Sequence, residues 1–430
     1  MTSSNTRKIG PVLATFVVAN NMIGSGFFLL PSTLAKSGAV TVLAWLLGTV
    51  LALLLGGAFA RLARDYPHLQ CADDYVRPAL GRDMGFLAST LYWLSSWIGN
   101  NAIAVAAFGY LVTVLPLDGS QPAVQVWGQV ALIWLMLAVN LLGPKQVARF
   151  QSACVVLGLL PVAVVLLGGW SQFDPAIYHA SWNVSGESDA HVVFASLAPV
   201  FWAFIGLETG AMIAGVVRDP DRNVPRATLG GILIAAVVYL TASVLVMGIV
   251  PASELVASSA PFALVAGRIF GAWAVPVIAI AAAIKATGTL GGWMLVTGES
   301  GARSAQRGYL PAFLGRMLPN GAAGWGLVTV ATAMSALAFL TLAPTTADQF
   351  GIIIEMAVLL VVMGYLAAAL SLLVGTPRRR PAASDRLIAL GALAACALLL
   401  FSSGWTTLLG ACAMALGAWV LFRLFGRRTA

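Results

Sequence analysis

A succession of long apolar segments is the feature that most restricts what this sequence can fold into. A helix needs about 20 apolar residues to cross a bilayer, and most of the twelve apolar segments reach that length. Of the 430 residues, 60% are hydrophobic and only 9% are charged, which excludes a soluble globular protein. The predicted segments are 10–33, 41–63, 85–114, 125–143, 151–169, 193–217, 228–250, 274–301, 325–343, 349–374, 387–402 and 405–424.

The basic residues predict the topology of these segments. With a cytoplasmic N-terminus, all but three of the 24 Lys and Arg residues fall in cytoplasmic loops or tails. The exceptions are Lys36, Arg268 and Lys285. Positive charge marks cytoplasmic loops, so we expect a multi-pass membrane protein with both termini in the cytoplasm. The lipid bilayer then accounts for the net charge of +8, and no nucleic-acid partner is expected.

The potentially reactive side chains do not form a pattern typical of catalysis. The cysteines lack CxxC spacing and are predicted to be unpaired structural thiols. The histidines lie in loops on different sides of the membrane, so we expect no metal site, no cofactor and no enzymatic activity. A sensor would carry a cytoplasmic signalling extension, and a channel would carry a pore loop or a ring of charged residues. The sequence shows neither pattern, so we expect neither a sensor nor a channel. The residues concerned are Cys71, Cys154, Cys396, Cys412, His68, His179 and His191.

The first segment contains an interruption. Its stretch Asn20–Pro31 reads NNMIGSGFFLLP and places Gly24, Ser25 and Gly26 in the middle of the membrane. Backbone groups freed at that depth must find partners or face a water-filled cavity. The stretch is therefore either a close helix-packing point or a broken helix at a binding site.

The sixth segment has a similar interruption, in Trp202–Gly210, which reads WAFIGLETG. The two segments are five apart, so the chain divides into inverted repeats at about 10–169 and 193–374, followed by helices at about 387–424. Paired interruptions in inverted repeats indicate a transporter's substrate site, whereas the alternative is that both glycine clusters only permit tight helix packing. We predict an all-α membrane protein forming one domain, residues 1–430.

The interruptions suit the two charged ends of an amino acid. Ser25 and Gly26 follow the first break, where free N–H groups and the positive end of a helix dipole can hold a carboxylate. Carbonyl groups near Ile205 can accept hydrogen bonds from an ammonium group. Glu208 has no basic residue in its own segment, and burial disfavours its charged form. It is a candidate protonation switch or, alternatively, a structural carboxyl bonded to a tyrosine.

Motifs along essentially the whole chain resemble a known family, the basic amino acid/polyamine antiporters of the amino acid–polyamine–organocation superfamily. The glycine motif alone marks the superfamily, and the combination marks the antiporter group. The resemblance implies a twelve-helix, LeuT-like inverted-repeat fold, a homodimer and a small-molecule substrate. It also implies a location in a bacterial cytoplasmic (inner) membrane. The motifs are Asn21–Gly26, Leu91–Trp93, Trp97–Asn100, Asn140–Lys145, Trp202–Glu208, Ala214–Val217, Arg222–Pro225 and Leu290–Trp293.

The resemblance also implies an activity. This activity is antiport: an arginine-like cationic amino acid is exchanged for its decarboxylated, agmatine-like amine. Such exchange would contribute to acid resistance. No ATP-binding motif is present, so transport would run on substrate gradients. The alternative is a proton-coupled or facilitative importer of a less cationic amino acid.

Residue roles follow from the same resemblance. The carboxylate would lie at Ser25 and Gly26 beside Ile23, and the α-ammonium at the backbone near Trp202 and Ile205. The distal cation would meet Asn100, with Ser95 and Ser96 nearby, and Trp293 would stack on it. Trp202 would close the site toward the outside, and a gate would close it toward the cytoplasm. Simple packing or interhelical hydrogen bonding is the alternative for these side chains. The further predicted binding residues are Asn21, Ser95, Ser96, Asn100 and Ala357, and the gate residues are Tyr92, Glu208 and Tyr365.

Two charged residues depart from the family pattern. Lys285 lies two helical turns before Trp293, and Glu355 lies in segment ten near Ala357, where related antiporters carry a serine. Charges at this depth usually face a partner or a water-filled cavity. We therefore expect Lys285 and Glu355 to pair, either as a structural salt bridge or as a device that tunes substrate charge or couples protons. An unneutralised Lys285 would repel cationic substrates.

Overall fold

The computed structural model describes residues 8–65, 72–375 and 380–425. Within these ranges the regular structure is helical, apart from an isolated parallel bridge between Ile9 and Val217. The first nine helices are α1 (Pro11–Met22), α2 (Ser25–Leu34), α3 (Thr41–Asp65), α4 (Ala72–Leu111), α5 (Pro122–Leu141), α6 (Pro144–Gly168), α7 (Pro175–Ala180), α8 (Asp189–Ala195) and α9 (Leu197–Trp202).

The second half of the chain has the same character. Short 3₁₀ turns follow α6 and α10 and precede α15. The remaining helices are α10 (Thr209–Met212), α11 (Pro220–Ile249), α12 (Ala252–Ala257), α13 (Pro261–Phe270), α14 (Ala274–Gln306), α15 (Gly324–Leu340), α16 (Thr346–Val374), α17 (Ala383–Ser402) and α18 (Trp405–Phe425).

Several of these helices can cross a bilayer on their own. In the described ranges, seven helices are long and apolar enough to do so, and the bent pair α1–α2 would make an eighth. A helix satisfies its backbone hydrogen bonds internally, which is what the hydrocarbon region demands. Each of the twelve apolar segments predicted from the sequence coincides with at least one described helix.

The stretch between the predicted segments 41–63 and 85–114 is partly helical. Helix α4 already begins at Ala72, well before the predicted apolar segment at 85. Gly81 interrupts it with φ of 84°, a value that glycine adopts without steric cost. A short polar helix therefore precedes the apolar part of α4.

Helix α4 lies at the centre of the packing. It contacts both α14 and α16, while α14 packs on α6 and α11 packs on α1 and α3. The short helix α13 covers α2, with the ring of Phe262 stacked on that of Phe27 at a centroid distance of 4.6 Å. This arrangement places the interruptions predicted in segments one and six against α4, α14 and α16.

Candidate functional site

The first segment is interrupted where the sequence predicts. Helix α1 ends at Met22 and α2 begins at Ser25, and the apolar helices on either side of the break meet at an angle of 45°. Gly24 occupies the N-cap position of α2 without a side-chain cap. The N–H groups of the first turn of α2 are therefore not satisfied by a capping side chain. The side chain of Ser25 lies outside the described residues.

The sixth segment is interrupted between α9 and α10. Turns occupy 203–208, and Gly206 has φ of 106°. A Cβ atom at Gly206 would lie 3.0 Å from Nδ2 of Asn21, so a larger residue would be both strained and crowded there. The predicted second interruption is thus present, and it lies directly against the first.

Hydrogen bonds join the two interrupted segments. Asn21 Nδ2 donates to Thr209 Oγ1 at 2.5 Å. Near the N-terminus, the amide of Ile9 donates to the carbonyl of Val216, and the amide of Arg218 donates to the carbonyl of Ile9, both at 2.9 Å. The α1 half of one segment and the α10 half of the other therefore form one connected unit.

A pocket opens between these breaks and helices α4, α14 and α16. Eight residues predicted for binding or gating line it: Asn21, Tyr92, Ser95, Ser96, Asn100, Trp202, Ile205 and Trp293. Seven other described residues also line it: Met22, Gly24, Gly99, Ile103, Ala203, Thr289 and Val361.

Aromatic and amide groups form one part of the pocket. A Cβ at Gly99 would lie 2.6 Å from the Trp202 ring, so the glycine makes room for the indole. Asn100 Nδ2 donates to Thr297 Oγ1 at 3.2 Å, and that hydroxyl donates to the carbonyl of Trp293 at 2.8 Å. Asn100 is thereby held beside the tryptophan that lines the same pocket.

The two predicted serines are both engaged with backbone. Ser95 donates to the carbonyl of Ala357 at 2.9 Å, and Ser96 donates to the carbonyl of Tyr92 at 2.7 Å. Their hydroxyls are thereby oriented and keep acceptor capacity toward the pocket. Ala357 and Ile23 are buried and are not among the residues that line the pocket. Neither side chain therefore forms part of the pocket wall.

The three predicted gate residues come together. Glu208 is only 2% exposed, and its carboxylate accepts hydrogen bonds from Tyr365 Oη at 2.5 Å, Tyr92 Oη at 3.2 Å and the Gly206 amide at 3.1 Å. Tyr92 lines both the pocket and a second cavity, which Glu208, Glu299 and Arg303 also line. The tyrosine–glutamate cluster therefore separates two cavities.

The expected pair of Lys285 and Glu355 does not form. Lys285 Nζ donates to Thr289 Oγ1 at 3.1 Å, whereas Glu355 Oε1 accepts from the amide of Gly404 at 3.1 Å. Helix α14 packs on α4 and α6, and α16 packs on α4 and α17, so the two side chains are directed to different neighbours. The prediction was wrong because the facing direction of each charge depends on the helix packing.

Thr289 is the main lining residue that the sequence reasoning missed. Lys285, Thr289, Trp293 and Thr297 are spaced four residues apart on α14, which places them on one face of the helix. Since Trp293 was already assigned to the pocket, this spacing was the signal that Thr289 and Thr297 also lie at or near it.

The cysteines and acidic side chains show no sign of metal or redox chemistry in the part of the chain described. Cys154 and Cys396 are buried and free, and Cys412 is exposed and free, whereas Cys71 lies outside the described residues. No group of three His, Cys, Asp or Glu residues in that part could hold a metal ion.

A helical membrane protein with a pocket between two helix interruptions belongs to the class of solute transporters rather than enzymes. The comparison with known families specifies the class further. Residues 9–421 match the amino acid permease family of the amino acid–polyamine–organocation superfamily, and the chain belongs to it.

The matches to named relatives extend over most of this chain and over most of each relative. The cadaverine/lysine antiporter of Escherichia coli (strain K12) is 36% identical over 378 residues, 86% of this chain and 84% of that protein. The putrescine transporter PotE of the same strain is 32% identical over 375 residues, 87% and 85% of the two chains. The putrescine transporter PotE of Haemophilus influenzae is 31% identical over 372 residues, with coverage of 86% and 85%.

Proposed function

We propose that this chain is a secondary exchanger that carries a cationic amino acid in one direction and its decarboxylated amine in the other. The observation that carries the proposal is the pocket between the two interrupted segments, with Gly24 at the start of α2 on one wall and Trp202, Trp293 and Asn100 on others. Relatives that are named as an antiporter of cadaverine and lysine and as a putrescine transporter support the same chemistry.

The amino acid end of the substrate would lie between the two breaks. Its carboxylate would accept hydrogen bonds from the first turn of α2 at Ser25 and Gly26, where the helix dipole adds favourable charge. Its α-ammonium would donate to turn carbonyls of the second break near Trp202, Ala203 or Ile205, all of which border the pocket. The backbone would thus recognise the part that all amino acids share.

The distal cation would lie toward Asn100 and Trp293. A cation over an indole face gains about 2 kcal/mol or more when desolvated. Ser95 and Ser96 offer acceptor oxygens on the same helix as Asn100. We infer that this end selects the side chain and that Trp202 closes the site toward the outside during each cycle.

The cluster of Tyr92, Glu208 and Tyr365 would form the gate toward the cytoplasm. Opening it requires the hydrogen bonds to the Glu208 carboxylate to break. Protonation of Glu208 would weaken these bonds, because charge-assisted hydrogen bonds are the stronger kind. This is the basis for proposing Glu208 as the group that links transport to pH.

The proposed cycle fits a scaffold of twelve membrane-crossing helices. We infer inverted repeats at about 10–169 and 193–374, with two more helices at about 387–424 completing one transmembrane domain in residues 1–430. The supporting observation is that both interruptions fall in segments that are five apart. By the placement of basic residues, both termini would face the cytoplasm of a bacterial cell, and a homodimer would be the assembled form.

Two substrate pairs compete within this proposal. The sequence motifs favour arginine and agmatine, whereas the relatives are named for cadaverine, lysine and putrescine. Both pairs present a distal cation to the same pocket. Uptake of either amino acid and export of its decarboxylated product would remove cytoplasmic protons and support acid resistance.

Counterflow in proteoliposomes tests the proposal. Vesicles are loaded with agmatine, with cadaverine or with buffer alone, and labelled arginine or lysine is added outside. We expect uptake in amine-loaded vesicles and little in buffer-loaded ones, with the faster pair identifying the substrates. Protein-free vesicles with the same loading give the background.

An importer of a less cationic amino acid is the second candidate. The observation that favours it is Lys285, a buried cation behind the pocket wall that Glu355 does not neutralise. Uptake of labelled neutral amino acids into empty vesicles, at a rate that amine loading does not change, would establish this candidate and exclude obligatory exchange.

A further inference from the structure

Lys285 is a buried cation whose charge has few hydrogen-bonding partners and no nearby carboxylate among the described residues. The residue is 2% exposed, and its Nζ donates to Thr289 Oγ1 at 3.1 Å. In the part of the chain described, that hydroxyl is the one acceptor for its three N–H donors, and no carboxylate lies within ion-pair distance of it. Thr289 in turn donates to the carbonyl of Lys285 at 3.0 Å, which fixes its own hydroxyl.

The surroundings of Lys285 leave its charge unneutralised. Helix α6 packs so closely that a Cβ at Gly158 would overlap the lysine side chain. Cys154, also on α6, is the titratable group that interacts electrostatically with it. Glu355 does not neutralise it, since its Oε1 accepts from the amide of Gly404 at 3.1 Å. A charge in such surroundings is weakly screened, so it acts on neighbouring sites over several ångströms.

The charge lies directly behind the wall of the pocket. Thr289, which holds the ammonium, lines the pocket itself. Its methyl group is 3.2 Å from the position of a Cβ at Gly24, the N-cap residue of α2. Lys285 is therefore separated by one side chain from the end of α2 to which the proposed function assigns the substrate carboxylate.

We propose that Lys285 is a specificity-determining residue that favours substrates with an α-carboxylate over the amines formed from them by decarboxylation. The proposal rests on the proposed function, since it takes the carboxylate to bind at the start of α2. The ammonium would attract that carboxylate through space and add to the helix dipole. An amine lacks the carboxylate and carries one more net positive charge, so the same ammonium would repel it.

The charge would make the two exchanged substrates unequal in affinity. A cationic amino acid would bind tightly from outside, while the amine that replaces it would leave the site more readily. Since Lys285 does not line the pocket, it would act on the carboxylate end without touching the substrate. Asn100 and Trp293 would bind the distal cation, as in the proposed function.

Competitive binding to the purified full-length protein tests this inference. Lysine with cadaverine, arginine with agmatine, and lysine with lysinamide are compared in the wild type and in Lys285→Met, which keeps the side-chain length but removes the charge. Lysinamide retains both ammonium groups and replaces only the carboxylate. We expect the amine-to-amino-acid ratio of Kd values to fall about tenfold in Lys285→Met. Arg268→Gln, which removes an exposed cation, is the control and should leave the ratio unchanged.

Other results would overturn the inference. A ratio unchanged in Lys285→Met, or equal losses for amino acid and amine, would show that the lysine is structural. The wild type gives a test that needs no folded variant: equal affinity for lysine and lysinamide would also refute it. Leucine with leucinamide is included so that the carboxylate preference can be read even if no cationic amino acid binds. In that case the proposed exchange fails while the role of Lys285 is still decided.

Discussion

The two helix interruptions border the same pocket but differ in what they expose. The first, around Gly24, leaves the start of α2 uncapped and carries no ionisable side chain. The second, at 203–208, contains Glu208, whose carboxylate is bound by Tyr92, Tyr365 and the Gly206 amide. One break thus starts a helix without a capping side chain, and the other has an acid whose hydrogen bonds are made within the protein.

This difference suggests a division of labour. A helix end with free N–H groups can exchange water for a substrate carboxylate at little structural cost. A buried carboxylate that accepts three hydrogen bonds can move only if those bonds break together. We therefore expect variants near the first break to alter affinity, and variants near Glu208 to alter the rate of exchange.

The largest effect is expected from Glu208→Ala. It removes the acceptor of two tyrosine hydroxyls and one amide, each bond to a charged group being worth about 1.5–3 kcal/mol. We expect the exchange rate in proteoliposomes to fall about 100-fold, with substrate Kd changed much less. Glu187→Ala, in an exposed loop, is the matched control. A variant with weaker binding and a normal rate would reverse the roles assigned to the two breaks.

The next largest effect is expected from Trp293→Leu. Loss of about 2 kcal/mol of cation–π attraction should raise the Kd for arginine or lysine about 30-fold, since about 1.4 kcal/mol corresponds to tenfold. Calorimetry on detergent-solubilised protein measures this, and Trp273→Leu, at a 67% exposed position, is the control. An unchanged Kd would mean that Trp293 only packs. A changed rate at constant Kd would place this tryptophan with the gate.

Both interruptions and the grouping of two tyrosines with Glu208 were predictable from the sequence. Glycines in the middle of apolar segments pointed to both interruptions because each glycine weakens a helix by about 1 kcal/mol relative to alanine. The resemblance to a family then assigned Tyr92 and Tyr365 to Glu208, although they are far from it in the chain. Their hydrogen bonds to its carboxylate agree with that assignment.

Other features depended on how helices rotate against one another. Glu355 is six residues from Val361, which lines the pocket, so at about 100° per residue the two side chains point to different sides of α16. The bond from Asn21 to Thr209 joins two separate breaks, and no local pattern in the sequence predicts it.

A smaller effect is expected from removing single tyrosine hydroxyls. The bond from Tyr365 to Glu208 is 2.5 Å long and that from Tyr92 is 3.2 Å, so the first should be the stronger. Tyr365→Phe should lower the exchange rate about tenfold, and Tyr92→Phe only a few-fold, in the same counterflow assay. Equal effects would indicate that the gate depends on the aromatic rings rather than on their hydroxyls.

The smallest expected effect is on stability, and it separates the two breaks by backbone geometry. Gly206 has φ of 106° and Gly24 has φ of −112°, so alanine is strained only at Gly206, by about 1–2 kcal/mol. A Cβ would lie 3.0 Å from Asn21 Nδ2 at Gly206 and 3.2 Å from the Thr289 methyl group at Gly24, so crowding is similar at both glycines and the backbone strain separates them. Gly186→Ala, at φ of 81° with no neighbour within 4 Å, isolates the strain alone. Melting temperatures in detergent should therefore fall most for Gly206→Ala, less for Gly186→Ala and least for Gly24→Ala. A larger loss at Gly24 would mean that the first break, not the second, is the more tightly constrained.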